Sequence, residues 1–62
     1  MKLNKIKLEM AMAKACMNPY EIAEKTGLNY QTIRKAAIGT NLKPKTVGLI
    51  ANGLGVEIEE LI

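Results

Sequence analysis

The stretch NPYEIAEKTGLNYQTIRKAAI, from Asn18 to Ile38, decides the fold because it predicts two short helices separated by a tight turn. The first of these helices has a strong start signal. Asn18 can cap free backbone N–H groups, Pro19 fits the first helical position, and Glu21 supplies the reciprocal half of a capping box. This helix is therefore expected to begin at Pro19.

The turn between the two helices is only a few residues long. Gly27 can adopt the left-handed conformation that ends a helix, and Asn29 can cap the next one. Ala23 is small where the second helix approaches, and Ile33 can fill the angle between the helices. So short a turn forces a steep crossing, which predicts a helix-turn-helix. An ordinary helical hairpin in a small bundle is the alternative for this pattern.

Composition restricts the class of protein. Sixty-two residues make one domain, residues 1–62, with a small core. The chain has no His and one Cys, which removes most metal sites and nucleophilic triads, so we expect neither an enzyme nor a cofactor. Cys16 is interpreted as an ordinary thiol in a reducing compartment. No apolar run approaches the roughly 20 residues that cross a bilayer, and a cytoplasmic protein without membrane contact is expected.

The charges are unevenly distributed along the chain, whose net charge is +3. The segment from residue 25 to residue 56 has no acidic residue. Its basic residues are Lys25, Arg34, Lys35, Lys43 and Lys45. A positive middle between acidic ends is typical of a surface that faces phosphates, although a solvated face would show the same pattern. Since the only aromatic residues are two tyrosines, a stacking platform for single strands is not expected, and duplex DNA remains possible.

The segment from Lys5 to Cys16 predicts a helix before this stretch, with Asn4 as its cap. Two apolar stripes occur on it at helical spacing, and a domain this small cannot bury both. One stripe consists of Leu8, Ala11, Met12 and Ala15. The other consists of Leu3, Ile6, Met10, Ala13 and Met17. The stripe that stays outside can serve as a partner surface.

The carboxy-terminal third predicts a further helix and a final turn. Pro44 is well placed to open the helix after a loop at residues 39–43. The expected buried face of this helix is Val47, Ile50, Ala51 and Leu54. A last turn follows at residues 58–62. The fold is therefore expected to be all-α, with five short helices.

With these segments in place, the chain resembles the lambda-repressor-like DNA-binding domains of the Cro/CI and Xre families over nearly its whole length. The matching motifs are EIAEKTGL at residues 21–28, Thr32-Ile33, Gly39 with Pro44 beyond it, Ile50-Ala51, Leu54-Gly55-Val56 and Glu59-Glu60-Leu61. The resemblance implies a lambda-repressor-like fold with a helix-turn-helix. It also implies that residues 29–38 form the recognition helix, which lies in the major groove of double-stranded DNA.

The resemblance further implies which residues contact DNA. The expected base readers are Tyr30, Gln31, Arg34 and Lys35. Gln31 can make a bidentate pair with adenine, and Arg34 or Lys35 can approach guanine acceptors. The expected phosphate contacts are Asn18, Tyr20, Asn29, Thr32, Thr40, Asn41, Lys43 and Lys45. Lys43 also matches a position that reaches the minor groove in some relatives.

Two features depart from the family pattern. Pro19 stands where relatives usually have a Gln that holds a phosphate through its side chain and backbone N–H, so Tyr20 or Tyr30 is expected to replace that anchor. Met12 and Ala37 stand where many relatives pair an Arg with a Glu. Because both partners are apolar here, no buried charge is left unpaired, which favours the stripe that contains Met12 as the inward one.

Together these features predict a sequence-specific regulator of transcription, a Cro-type repressor from a phage, prophage or mobile element. It is expected to bind a pseudo-palindromic operator as a homodimer, with no small-molecule ligand. The expected dimer surface is Val56, Ile58, Leu61 and Ile62, and the competing surface is Ile6, Met10 and Ala13. A second hypothesis is a helix-turn-helix module that binds a protein, such as an antitoxin or an adaptor.

Overall fold

The computed structural model describes residues 1–62 and contains helices and no strands, which confirms the all-α class. The four α-helices are Lys5–Ala15 (α1), Pro19–Thr26 (α2), Tyr30–Ala37 (α3) and Pro44–Leu54 (α4). The fifth predicted helix is only a single 3₁₀ turn at Ile58–Glu60. The Glu60 N–H donates to the Glu57 carbonyl at 3.0 Å, and the Leu61 N–H donates to the Ile58 carbonyl at 2.9 Å. Both bonds span three residues, as in a 3₁₀ turn. None of the helices is long and apolar enough to span a membrane.

The helix starts follow the predicted caps. Asn4, Asn18 and Asn29 each accept a hydrogen bond from the backbone N–H three residues later, at 3.0, 2.8 and 2.8 Å. Glu21 completes the capping box, because its Oε1 accepts a hydrogen bond from the Asn18 N–H at 2.9 Å. α4 has no side-chain cap and begins at Pro44, which suits the first helical position because an N–H there would have no partner within the helix. These starts depend on contacts between near neighbours in the chain.

α1 ends one residue before the predicted end at Cys16. Cys16 adopts the left-handed conformation with φ of 57°, the only residue other than glycine with a positive φ. This backbone conformation lets the Met17 N–H donate to the Met12 carbonyl at 3.0 Å, which satisfies a carbonyl that the helix end would leave free. The Cys16 thiol is free and exposed. The backbone of Cys16 thus ends α1, and the structure assigns no role to the thiol.

One aliphatic core joins all the helices. Its buried residues are Leu3, Leu8, Ala11, Ile22, Ala23, Ile33, Ala36, Leu42, Val47, Ile50, Ala51, Leu54 and Leu61. The predicted inward face of α4 is confirmed, since all four of its residues belong to this core. α2 packs against both α3 and α4, and α1 contacts α3, α4 and the 3₁₀ turn. The core therefore lies among α-helices that all have one apolar face turned inward.

The helix-turn-helix is built as its three key positions predict. Ala23 and Ile33 are buried between α2 and α3. Gly27, with φ of 77°, ends α2 and donates its N–H to the Ala23 carbonyl at 3.0 Å. On the other side of α2, Thr26 contacts Gly53 of α4 so closely that a Cβ at Gly53 would lie 2.5 Å from the Thr26 methyl carbon. α2 is thus held between α3 and α4.

The two stripes of α1 separate almost as the sequence predicts. Leu8 and Ala11 are buried, and Met12 and Ala15 pack half-buried against the core. Ile6 and Met10, from the other stripe, are each 66% exposed. The expectation that one whole stripe stays outside is wrong for Leu3, which is buried, and for Met17, which packs half-buried against the core. Leu3 precedes the helix, and the next residue, Asn4, donates its N–H to the Leu61 carbonyl at 2.7 Å.

The hydrogen bond between Asn4 and Leu61 also bears on the predicted dimer surface. It joins the amino-terminal segment to the carboxy-terminal one, and the Leu61 side chain is 0% exposed. The expectation that Leu61 contacts a second subunit is therefore wrong, because its side chain fills the core of its own domain. Val56 and Ile58 are half-buried against the same core, and Ile62 is 50% exposed. Only part of the expected surface is free.

Candidate nucleic-acid interface

The outward face of α3 presents polar and basic side chains. Ile33 and Ala36 anchor the helix in the core. At 100° per residue, Gln31, Arg34 and Lys35 lie on the opposite side of the helix, and all three are exposed. The structure therefore brings together three of the four predicted base readers on one solvent-facing surface, next to the helix-turn-helix turn. These donors suit the acceptor-rich edge of guanine or the mixed edge of adenine.

The positive charge of the middle segment is not neutralised within the chain. The basic residues between positions 25 and 56 are all exposed: Lys25, Arg34, Lys35, Lys43 and Lys45. The one ion pair in the chain joins Lys14 of α1 to Glu60 of the 3₁₀ turn, with Nζ and Oε1 3.7 Å apart. The cations of α3 and of the α3–α4 loop thus have no internal carboxylate partner. They are available to phosphates, whose contacts supply most of the affinity of a DNA-binding protein.

Tyr30, the fourth predicted base reader, is partly covered by Tyr20. The two rings are stacked, with centroids 4.2 Å apart and planes 4° from parallel. Hydrogen bonding with Tyr30, followed by electrostatic repulsion from it, raises the pKa of Tyr20 above its ordinary value, and the nearby Arg34 charge opposes this shift. The stack places one ring face of Tyr30 out of reach of a base.

The stack was not predicted from the sequence. Tyr20 is the second residue of α2 and Tyr30 is the first residue of α3. They are ten positions apart in the chain, with a turn between them, so no local periodicity indicates that their rings meet. Their positions at the starts of two helices that were expected to cross were the available signal. The pair bridges the start of α2 to the start of α3 on the solvent side, where Tyr20 is exposed.

The start of α2 is a poor phosphate anchor. Pro19 has no N–H, and the Asn18 N–H is already bonded to the Glu21 carboxylate. That carboxylate would repel a phosphate placed at the helix start. Of the groups predicted to contact phosphates here, the side-chain Nδ2 of Asn18 and the Tyr20 hydroxyl remain as donors. The departure at Pro19 therefore removes the backbone donor at the first position of α2.

Asn29 and Thr32 are bonded to each other at the start of α3. The Asn29 Oδ1 accepts both the Thr32 N–H, at 2.8 Å, and the Thr32 hydroxyl, at 2.9 Å. The Thr32 hydroxyl has therefore given its only proton to Asn29 and has none to donate to a phosphate. The side-chain Nδ2 of Asn29 makes no hydrogen bond within the chain and is free to donate. This geometry supports Asn29 over Thr32 as a phosphate contact.

The loop between α3 and α4 holds the remaining predicted phosphate contacts, and it is tied to the amino-terminal residue. The Asn41 Oδ1 accepts a hydrogen bond from the Met1 amino group at 2.7 Å, and the Leu42 N–H donates to the Met1 carbonyl at 2.6 Å. Leu42 is buried beneath the loop. The exposed residues of the loop and of the first turn of α4 include Thr40, Asn41, Lys43 and Lys45. A fixed backbone thus presents several donors directly after α3.

A second exposed surface lies on α1. Ile6, Met10 and Ala13 are exposed, and a shallow groove beside them is lined by Lys7, Met10, Ala13, Lys14 and Glu60. In contrast to the α3 face, its centre is apolar. We call Ile6, Met10 and Ala13 the α1 stripe.

The comparisons with known proteins agree with this geometry. A family model described as Helix-turn-helix matches residues 8–61, which include α2, the turn, α3 and α4. No curated protein and no solved structure matches the chain significantly.

Proposed function

Since the chain belongs to the helix-turn-helix family of the Cro/CI and Xre type, we propose that it is a sequence-specific repressor of transcription that binds a pseudo-palindromic operator as a dimer. One observation carries the proposal. The outward face of α3 combines hydrogen-bonding side chains with cations that no carboxylate of the chain neutralises. Such a face suits the major groove, where base edges offer acceptors and phosphates line both walls.

In this proposal α3 reads bases through Gln31, Arg34 and Lys35. Tyr30 contributes its hydroxyl, because Tyr20 covers a face of its ring. The phosphate contacts come from the free amide nitrogens of Asn18 and Asn29, the Tyr20 hydroxyl, and the loop donors described above. Side chains thereby replace the backbone anchor that Pro19 removes.

A dimer supplies two such faces. A single domain offers few base contacts, whereas two domains on half-sites about one helical turn apart double both the base and the phosphate contacts. With Leu61 in the core, the proposed dimer surface is reduced to Val56, Ile58 and Ile62. This surface is small compared with the roughly 800 Å² per partner of a stable interface. We therefore propose that the dimer forms on the operator and is weak in free solution.

Selection of binding sites from random duplexes with the purified protein tests the proposal. The expected result is an enriched sequence with two-fold symmetry and half-sites about 10 base pairs apart. Gln31→Ala should then lose about 5-fold to 150-fold in affinity for each half-site, and lose its preference at one base pair of each half-site. Equal loss on the selected site and on random DNA would contradict a base-reading role for Gln31. Failure to enrich any sequence would contradict the whole proposal.

The second candidate is a protein-interaction module such as an antitoxin or an adaptor. The α1 stripe favours it, since Ile6 and Met10 expose apolar surface that the fold leaves without a partner. Salt separates the two functions. DNA binding through counterion release falls steeply between 50 and 200 mM salt, by an amount that reflects the number of phosphate contacts. Binding through apolar contacts changes little over the same range.

A further inference from the structure

Ile38 is the most exposed large apolar residue of the chain, at 75%. An isolated exposed apolar residue is ordinary on a protein surface, so the exposed fraction alone carries no conclusion. The position of Ile38 does. It follows Gln31 by seven residues, Arg34 by four and Lys35 by three, so helical geometry places it on the same outward face as all three.

The end of α3 holds Ile38 in that position. The Ile38 N–H donates to the Arg34 carbonyl at 3.1 Å, so the helical hydrogen bonds continue through this residue. Gly39 then turns the chain away with φ of 82°, and the Thr40 N–H donates back to the Lys35 carbonyl at 3.0 Å. Because the chain leaves the helix at Gly39, nothing folds back over the Ile38 side chain.

An aliphatic side chain on this face has a specific chemical complement. The edges of base pairs in the major groove offer hydrogen-bonding groups and one apolar group, the C5 methyl of thymine. Arg34 and Lys35 would hold this face close to the duplex, and Ile38 makes no hydrogen bond through its side chain. We propose that Ile38 is a specificity-determining residue that reads a thymine methyl, an inference that rests on the proposed function above.

The helix geometry also gives an approximate position for that thymine. Ile38 lies about 10 Å along the helix axis from Gln31, at 1.5 Å per residue. Base pairs are about 3.4 Å apart along the axis of the duplex. The thymine read by Ile38 therefore lies at most about three base pairs from the base read by Gln31, within the same half-site.

Uracil substitution tests this inference, because deoxyuridine differs from thymidine only by the missing methyl. Each thymine of the selected operator is replaced in turn, and the dissociation constant is measured for the unmodified protein and for Ile38→Ala. One position in each half-site should weaken the unmodified protein about fourfold, the value expected for one buried methyl. Ile38→Ala should bind the thymine site more weakly and show no further loss with uracil at that position.

Ile6→Ala is the matched control, since it removes the same side chain from an exposed position on α1. It should keep the full uracil penalty at every position. Ile38→Val, which stays apolar, should keep most of it. Thermal unfolding of each variant should match that of the unmodified protein, because both isoleucines are exposed.

Three outcomes would overturn the inference. Ile38→Ala could keep the uracil penalty at every thymine, which would show that another residue reads the methyl. It could lose affinity equally for selected and random duplexes, which would indicate contact with sugar or phosphate instead. It could alter self-association and leave the uracil pattern unchanged, which would place Ile38 in a protein interface. If no sequence is enriched in the preceding selection, the proposed function fails first and this inference falls with it.

Discussion

The helices α1 and α3 have similar inward faces and opposite outward ones. Inward, α1 buries Leu8 and Ala11, and α3 buries Ile33 and Ala36. Outward, the α1 stripe is apolar, whereas the α3 face has polar and basic side chains followed by a single isoleucine. The fold explains the inward faces, because both fill one core. It does not require either outward face, so those faces carry the information about partners.

The largest effect is expected when charge is removed from the two helices in turn. The double variant Arg34→Ala/Lys35→Ala should bind the selected operator at least about 30-fold more weakly, since each lost base contact costs about 1 to 3 kcal/mol. Lys5→Ala/Lys7→Ala removes the same charge from α1 and should cost less than about threefold at physiological salt, because charges beyond roughly 8 Å from a phosphate are screened. Fluorescence anisotropy measures both constants. Equal losses would show that α3 contributes charge and no specific reading.

The next effect separates the two candidate subunit contacts. Ile62 is exposed at the carboxy terminus, so Ile62→Glu should leave the fold intact and reduce cooperative binding to paired half-sites by about tenfold, through repulsion between two new carboxylates. Met10→Glu on the α1 stripe should leave cooperativity unchanged. Titration of one-half-site and two-half-site duplexes gives the cooperativity directly. The reverse result, with loss only in Met10→Glu, would assign the interface to α1.

The features that the sequence predicts well are those decided within a few residues. Asn4, Asn18 and Asn29 cap their helices through contacts three residues away, and the inward face of α4 follows from its period. One wrong prediction and one contact that was not predicted involve residues that are distant in sequence. Leu61 is buried because the amino-terminal segment pairs with it, and Tyr20 meets Tyr30 because α2 and α3 pack together. Local pattern contains no information on either contact.

The candidate site divides in the same way. Periodicity correctly places Gln31, Arg34 and Lys35 on one exposed face. It does not reveal that the Thr32 hydroxyl is bonded to Asn29, or that the Asn18 N–H is bonded to Glu21. These two donors are already satisfied within the chain, so they are not free to bind a phosphate. The sequence thus predicts which side chains lie at the site, whereas the structure is needed to identify which of their donors are free.

A smaller effect is expected from the loop after α3. Lys43→Ala should weaken binding to selected and random duplexes alike, because this exposed lysine of the loop is expected to contact phosphate and no base. The slope of log affinity against log salt should fall by about 0.9 for each half-site. Lys14→Ala on α1 is the control, and its slope should match that of the unmodified protein. A changed base preference in Lys43→Ala would instead indicate a contact in the minor groove.

The smallest effect concerns how α1 and α3 end. The left-handed conformation of Cys16 costs about 1 to 2 kcal/mol that glycine avoids. Glycine, however, lowers the free energy of unfolding by about 0.5 to 1 kcal/mol, because it loses more backbone entropy on folding. Cys16→Gly should therefore stabilise the protein by about 0.5 to 1 kcal/mol. Gly39→Ala should destabilise it by a similar amount through the backbone alone, since no atom lies within 4 Å of the added methyl. Urea denaturation under reducing conditions measures both changes. Destabilisation by Cys16→Gly would show that the exposed thiol makes contacts worth more than the backbone strain.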